Sequence, residues 1–263
     1  MDLGLSGRAI IVTAASRGLG FATARALARE GASLVICARG LDRVTSAAET
    51  LARETGVEVV PVAGDVRDDT DVTTMRDVAL ERFGRIDGLF VNAGGPPPGG
   101  FLDFTVSDWR QAARLTLESA LSLIYAVVPI MREQGGGAIL ANTSVSVRYP
   151  LDGLILSNSL RLAVVGLVKS LSIELGPYGI RANALAPGWT RTQRVERLLL
   201  ARARAHGTTV EEEATAIAES IPLRRMAEPH EYGRVAAFLL SPAASYVTGV
   251  TLLVDGGMAR AIP

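Results

Sequence analysis

The stretch that most constrains this chain is Thr13-Ala14-Ala15-Ser16-Arg17-Gly18-Leu19-Gly20, set between the apolar run Arg8-Ala9-Ile10-Ile11-Val12 and the segment Phe21 to Ala28. A short apolar run bounded by turn residues reads as a buried strand, and the apolar spacing after Gly20 reads as a helix. A strand that turns over small residues into a helix makes an anion site. Gly18 and Gly20 let the backbone approach a ligand, and the first helical amides aim unpaired N–H groups and the positive dipole end at a phosphate. The same loop also serves as a plain structural turn, so the rest of the chain has to decide between the two.

A second apolar run, Ala32 to Cys37, completes a βαβ unit. In a dinucleotide site the residue ending this strand, about 20 positions after the glycines, meets the adenosine ribose, where an acid favours the free 2′-hydroxyl and an arginine the 2′-phosphate. Here the strand runs into Ala38-Arg39 with no acid in place, and Arg17 lies on the same side. Two guanidiniums suit a phosphate, which favours NADP(H) over NAD(H). The alternative is that both arginines are ordinary surface residues.

The pattern then repeats. A helix from Leu41 to Glu54 precedes the strand Val57–Val62, and Asp65-Val66 follows, with Asp65 placed either to cap the next helix or to sit over the adenine edge. The helix Asp69–Phe83 stops at Gly84, and the strand Ile86–Val91 runs into Asn92-Ala93-Gly94 and a Pro/Gly loop to Gly100. A long apolar helix is expected from Ser107, as N-cap, to Glu133, then a strand Gly137–Asn142 ending at Thr143-Ser144, and a helix Leu151–Leu175. The strand Ile180–Ala186 leads into Pro187-Gly188-Trp189-Thr190-Arg191-Thr192, a pair of helices covers 193–220, and a helix Pro229–Leu240 precedes the last strand, Val250–Val254. About seven strands alternating with helices predict an α/β fold with one Rossmann-type, doubly wound parallel sheet, and 263 residues fit one domain spanning the chain.

Formal charge is zero, with 27 basic and 27 acidic residues, so nothing favours nucleic acid or an anionic membrane as partner. The single cysteine, Cys37, fits core packing and a reducing cytoplasm. The first residues lack a basic region and a long apolar core, and Ser122, Pro129, Ser157 and Arg161 interrupt the apolar helical stretches, so neither a signal peptide nor a membrane span is expected. No zinc spacing or Ser/His/Asp signature is present, and His206 and His230 read as surface residues.

Nearly the whole chain resembles the short-chain dehydrogenase/reductase family, most closely its β-ketoacyl carrier-protein reductase-like branch. Thr13 to Gly20 is similar to the family's Thr-Gly-x-x-x-Gly-x-Gly loop, with Ala14 in place of the first glycine. Asn92-Ala93-Gly94 matches its Asn-Ala-Gly segment, and Pro187 to Thr192 its Pro-Gly-x-x-x-Thr turn, which holds the nicotinamide carboxamide. The resemblance implies a substrate lid over 193–220, a small carbonyl or alcohol substrate, and a homo-oligomer, tetramer or dimer, formed through the long apolar helix.

It also implies a catalytic serine, tyrosine, lysine and asparagine. Registered on this chain, these positions carry Ser144, Ser157, Arg161 and Thr116. The only lysine is Lys169, and Val165 stands four residues before it, so no Tyr-x-x-x-Lys exists anywhere. Ser157 and Arg161, four apart on one helix, share a face that looks either onto a wet site beside Ser144 or into a subunit interface. Arg161 can bind ribose hydroxyls and fix positive charge, but it does not relay a proton as an amine does. Tyr149, after Ser144, offers a phenol without a lysine partner. The cofactor signals therefore fit two expectations: an NADP(H)-dependent oxidoreductase with an altered site, or a nicotinamide-binding protein that regulates or senses without turnover.

Overall fold

The computed structural model describes residues 2–260. Its strands are β1 (Ala9–Val12), β2 (Ser33–Ala38), β3 (Val59–Ala63), β4 (Gly88–Val91), β5 (Gly137–Asn142), β6 (Ile180–Pro187) and β7 (Thr251–Val254). All neighbours pair in parallel, in the order β3-β2-β1-β4-β5-β6-β7. The order reverses between β1 and β4, and a crevice opens at the strand C-termini of such a switch point because successive crossovers leave to opposite faces there.

The helices are α1 (Gly18–Arg29), α2 (Leu41–Thr55), α3 (Asp69–Phe83), α4 (Val106–Ala113), α5 (Ser119–Glu133), α6 (Ile155–Glu174), α7 (Gln193–His206), α8 (Val210–Ser220) and α9 (Pro229–Leu240). Strand side chains alternate between two cores. Ile10 and Val12 join Leu27, Leu51 and Tyr232 under α1, α2 and α9, whereas Ile11 joins Met75, Val127 and Val164 under α3, α5 and α6. Each such aliphatic side chain contributes about 1.5–3 kcal/mol by leaving water, which is why both faces of the sheet must be covered.

The larger differences from the sequence expectation lie in two helices. The long apolar helix starts at Thr105 rather than Ser107, because Thr105 Oγ1 accepts from the Asp108 amide (3.4 Å) while the Asp108 carboxylate accepts from the Thr105 amide (2.8 Å). It is also not uniform, since a π-helical turn, Arg114–Glu118, separates α4 from α5. The helix expected from Leu151 begins at Ile155, because the Asn158 side chain pairs with the Leu151 backbone (2.9 and 3.3 Å) and holds that residue in the loop.

The expectation about apolar stretches is corrected as well. Val106–Glu133 and Ile155–Glu174 run on through their polar residues and are long and apolar enough, by length and composition, to cross a membrane. Here each lays one side on the parallel sheet.

Candidate active site

A cleft of about 560 Å³ runs along the C-terminal ends of the strands, within the size range of small-molecule and cofactor sites. Its first wall is the turn between β1 and α1. Ala14 takes a left-handed conformation there (φ 49°), the backbone state that a glycine at this position would adopt without a Cβ penalty. Gly20 is required by packing, since a Cβ would lie 2.4 Å from the Ala14 carbonyl oxygen. Arg17 occupies the N-cap of α1 without making a side-chain cap bond, which leaves the first helical amides free to receive an anion. Ser16, Arg17, Gly18 and Leu19 line this wall, and Arg39, Arg43, Asp65 and Val66 line the neighbouring end. Arg17 and Arg39 are both exposed.

Asp65 is neither a helix cap nor a free carboxylate. Asp68 caps α3 by accepting from the Thr70 amide (2.8 Å), while Arg67 grips both Asp65 oxygens (3.0 and 2.6 Å). That pairing, with a smaller contribution from Arg39, holds the Asp65 carboxyl below its usual range. Burial, with the carboxylates of Asp71 and Asp65, pushes the neighbouring Cys37 thiol up to about 12, so it stays neutral and unreactive.

Behind the cleft a hydrogen-bond chain joins four elements. Thr13 Oγ1 donates to the Asn92 carbonyl (2.7 Å) and accepts from the Asn92 amide (2.9 Å), and Asn92 Nδ2 donates to the Thr13 carbonyl (3.2 Å). Asn142 Nδ2 donates to Asn92 Oδ1 (2.8 Å), and the hydroxyl of Tyr232 on α9 donates to Asn142 Oδ1 (2.8 Å). Tyr232 is fully buried and packs edge-on against Phe90 with centroids 6.4 Å apart. Removal from water raises its phenol well above the ordinary value, so it acts as a neutral donor.

The other end of the cleft carries Ser144, Ser157 and Arg161 together, along with Asn92, Ala93 and Gly94. Ser144 Oγ accepts from the Ser146 amide (3.1 Å), which orients the hydroxyl and leaves its proton available. Ser157 and Arg161 project from one face of α6, and Arg161 Nη1 donates to the Asn142 carbonyl (2.9 Å). Arg161 is only 9% exposed. Burial, and secondarily the charge of Arg194, lower its guanidinium to about 10, which still leaves it protonated at neutral pH. This helix face borders the cleft beside Ser144.

From α7, Thr192 caps the helix by accepting from the Val195 amide (3.4 Å), Gln193 Oε1 accepts from Arg17 Nη1 (2.5 Å), and Arg194 Nη2 donates to the Pro96 carbonyl (2.7 Å). These contacts draw α7 across the cleft mouth. The α7–α8 pair closes on Val195, Leu199 and Ile217 and is keyed by Glu213, which bonds His206, Arg202 and Thr208. Those three donors hold the Glu213 carboxyl at about 2.

Several candidate residues fall elsewhere than expected. Thr13 and Gly20 lie behind the cleft wall, where Thr13 fastens β1 to β4 and Gly20 lets α1 pack against the turn. Thr116 is buried in the π-helical turn with Oγ1 unpartnered, and Leu115 forms the wall in its place. The extra residue of a π turn rotates the side chains that follow it, which an α-helical reading of the sequence cannot register. Pro187, Gly188, Thr190 and Thr192 do line the cleft, and Gly188 passes so close to Asp255 that a Cβ would sit 2.7 Å from its Cα. Tyr149 is not on the wall; it lies near Asp255 and Arg260. Sequence reasoning missed Asn142, Tyr232 and Arg194. A phenol on the buried face of an otherwise apolar helix was the one available signal for the Tyr232–Asn142 pair.

Comparison with known proteins follows the same lines. A family profile described as enoyl-(acyl carrier protein) reductase matches residues 13–259. Oxidoreductase UcpA of Escherichia coli (strain K12) is 37% identical over 257 residues, covering 96% of this chain and 95% of that protein. Dehydrogenase/reductase SDR family member 4 of Homo sapiens is 34% identical over 254 residues, covering 96% and 88%. The crystal structure of L-sorbose reductase from Gluconobacter frateurii, complexed with NADPH and L-sorbose, superposes with a TM-score of 0.94 at 32% identity over the whole of both chains. Profile, relatives and superposition extend over both the turn between β1 and α1 and the serine-arginine end of the cleft, and the chain belongs to the short-chain dehydrogenase/reductase family.

Proposed function

We propose that the protein is an NADP(H)-dependent oxidoreductase that reduces a small ketone of the 3-oxoacyl type, or oxidises the corresponding alcohol, with Ser157 and Arg161 at the positions where the family carries tyrosine and lysine. One observation carries this reading: a single cleft joins an uncapped helix N-terminus to Ser144, Ser157 and Arg161. The cleft fits a dinucleotide. Free α1 amides and Arg17 meet the pyrophosphate, Arg39 and Arg43 stand where a 2′-phosphate would lie, and the L-sorbose reductase with the same fold holds NADPH. The bound nicotinamide would supply or accept the hydride.

The chain's own groups then act on the oxygen. Ser144, with its lone pair engaged by the Ser146 amide, donates its hydroxyl hydrogen to the carbonyl oxygen, and Ser157 adds a second donor from α6. Arg161, protonated and anchored on the Asn142 carbonyl, stabilises the negative charge that develops there and can also hold the ribose. Neither serine is acidic enough to give up its proton outright, so water delivers the final proton. Losing a positioned general acid typically costs about 10²- to 10⁴-fold, which makes this a slow enzyme by the standards of its family. Thr116, unpartnered behind Leu115, takes no part in proton relay. The α7–α8 pair serves as the lid, and the exposed Tyr125, Leu162 and Ile173 offer an apolar surface to a second copy.

The absence of any Tyr-x-x-x-Lys favours a second reading, a nicotinamide-binding regulator or sensor. NADPH titration by fluorescence followed by stopped-flow oxidation against β-ketoacyl thioesters, diketones and sugars separates the two. Tight binding with oxidation on at least one substrate, reduced about 10²- to 10³-fold by Ser144→Ala with unchanged NADPH affinity, supports the oxidoreductase. Tight binding without any oxidation supports the sensor, and failure to bind either nicotinamide overturns both.

A further inference from the structure

The reaction end of the cleft holds more positive charge than it neutralises. Arg161 and Arg194 line it, Arg197 lines the same cleft, and among the described residues no salt bridge joins any of the three to a carboxylate. Among the described residues the only acid on the cleft wall is Asp65, which is paired with Arg67. Arg161 has a single protein acceptor, the Asn142 carbonyl, and Arg194 a single one, the Pro96 carbonyl. The two guanidiniums are near enough for the charge of Arg194 to be felt at Arg161, and Arg197 adds to the repulsion at Arg194. Burying one guanidinium and half-burying another beside it, each with one neutral acceptor, costs free energy unless an anion joins them.

The phosphates of a dinucleotide already have the uncapped amides of α1, with Arg17 beside them. Arg194 instead reaches from α7 to the loop after β4, packing against Gly95 beside the Ser157–Arg161 face. Resting on the oxidoreductase reading above, we infer that Arg194, backed by Arg161, is the specificity-determining receptor for an acidic group on the substrate, so that the ketone or alcohol turned over is a carboxylic acid or another anion rather than a neutral carbonyl. A guanidinium presents a planar fork of donors that matches a carboxylate in two parallel bonds, and its position on the helix that closes the cleft couples acid recognition to closure.

The inference is tested without turnover, so it stands or falls apart from hydride transfer. Malonate and its uncharged counterpart malonamide are titrated onto the full-length protein with NADP⁺ bound, using intrinsic tryptophan fluorescence or calorimetry. Malonate is expected to bind at least about tenfold more tightly than malonamide, the worth of one charge-assisted contact. Arg194→Gln should erase that margin while leaving NADP⁺ affinity within about twofold, and Arg194→Lys should keep part of it, since a point charge replaces a fork. Equal binding of the two probes overturns the inference, as does a margin that survives in Arg194→Gln. A loss of NADP⁺ affinity of about tenfold or more in Arg194→Gln also overturns it, because it assigns this arginine to the cofactor's pyrophosphate. If turnover is found, acetoacetate against methyl acetoacetate repeats the comparison as kcat/KM.

Discussion

The two ends of the cleft are built by different means. The end proposed to hold the phosphates is bordered by one contiguous turn, Ala14 to Leu19, leading into a helix whose N-terminus has no side-chain cap. The reaction end is made of side chains from separate elements, Ser144 after β5, Ser157 and Arg161 on α6, and Arg194 on α7, held by bonds to Asn142 and Pro96. A backbone site depends on local conformation and on the absence of a Cβ at close approaches. A side-chain site can change its chemistry one residue at a time.

The largest effect that would sharpen this contrast is at the reaction end. Ser157→Tyr combined with Arg161→Lys should raise the single-turnover rate of NADPH oxidation by about 10²- to 10⁴-fold, the worth of a positioned general acid. The same pair should leave NADPH affinity nearly unchanged, because the lysine can donate to the ribose hydroxyls as Arg161 can and the phosphate end does not depend on α6. An unchanged rate would mean that the cleft is reshaped beyond the missing acid.

At the other end, Arg39→Ala should weaken NADPH by about tenfold to a hundredfold, as expected for one or two charge-assisted hydrogen bonds, and leave NADH binding as it was. Equal weakening of both nucleotides would show that Arg39 does not distinguish them, and the comparison would lose its electrostatic half. Parallel fluorescence titrations decide the matter.

The smallest effect concerns α7 and α8, which border the reaction end. Glu213 has a folded pKa of about 2 against an ordinary 4.5, so its contribution is fully present above about 4.5 and is lost as the pH falls toward 2. Glu213→Gln should therefore speed limited proteolysis within 193–220 at pH 7, while the difference between variant and parent shrinks as the pH falls through that window. A difference that does not change with pH would mean that Glu213 acts by packing alone. The sheet, which does not touch Glu213, should melt at nearly the same temperature in both.

Much of the fold was legible beforehand. The helix Asp69–Phe83 and the strand Gly137–Asn142 have the bounds read from sequence, because their limits are set by local chemistry: an aspartate cap and Gly84 for the helix, glycine and polar punctuation for the strand. Legibility failed where side-chain pairing or an irregular turn decides a residue's surroundings. Asp65 read as a cap or an adenine contact; Asp68 is the cap, and Arg67 pairs with the Asp65 carboxylate. Thr116 read as a relay residue, yet a π-helical turn carries it away from the wall. Tyr232 was passed over as part of an apolar helix, although its hydroxyl meets Asn142 90 residues earlier.

By itself the sequence determined the alternation of strand and helix and the position of the glycine-containing turn after β1, and it excluded any Tyr-x-x-x-Lys. Those properties reside in residue type and short spacing, which the chain carries before it folds. Only the tertiary structure decided that Ser144, Ser157 and Arg161 share one wall, that Thr13 and Thr116 do not, and that Arg194 faces Arg161 with no acid between them. The physical reason is that a side chain's charge and hydrogen bonds act over a few ångströms of space, and which residues come within that reach is set by packing across the sheet rather than by distance along the chain.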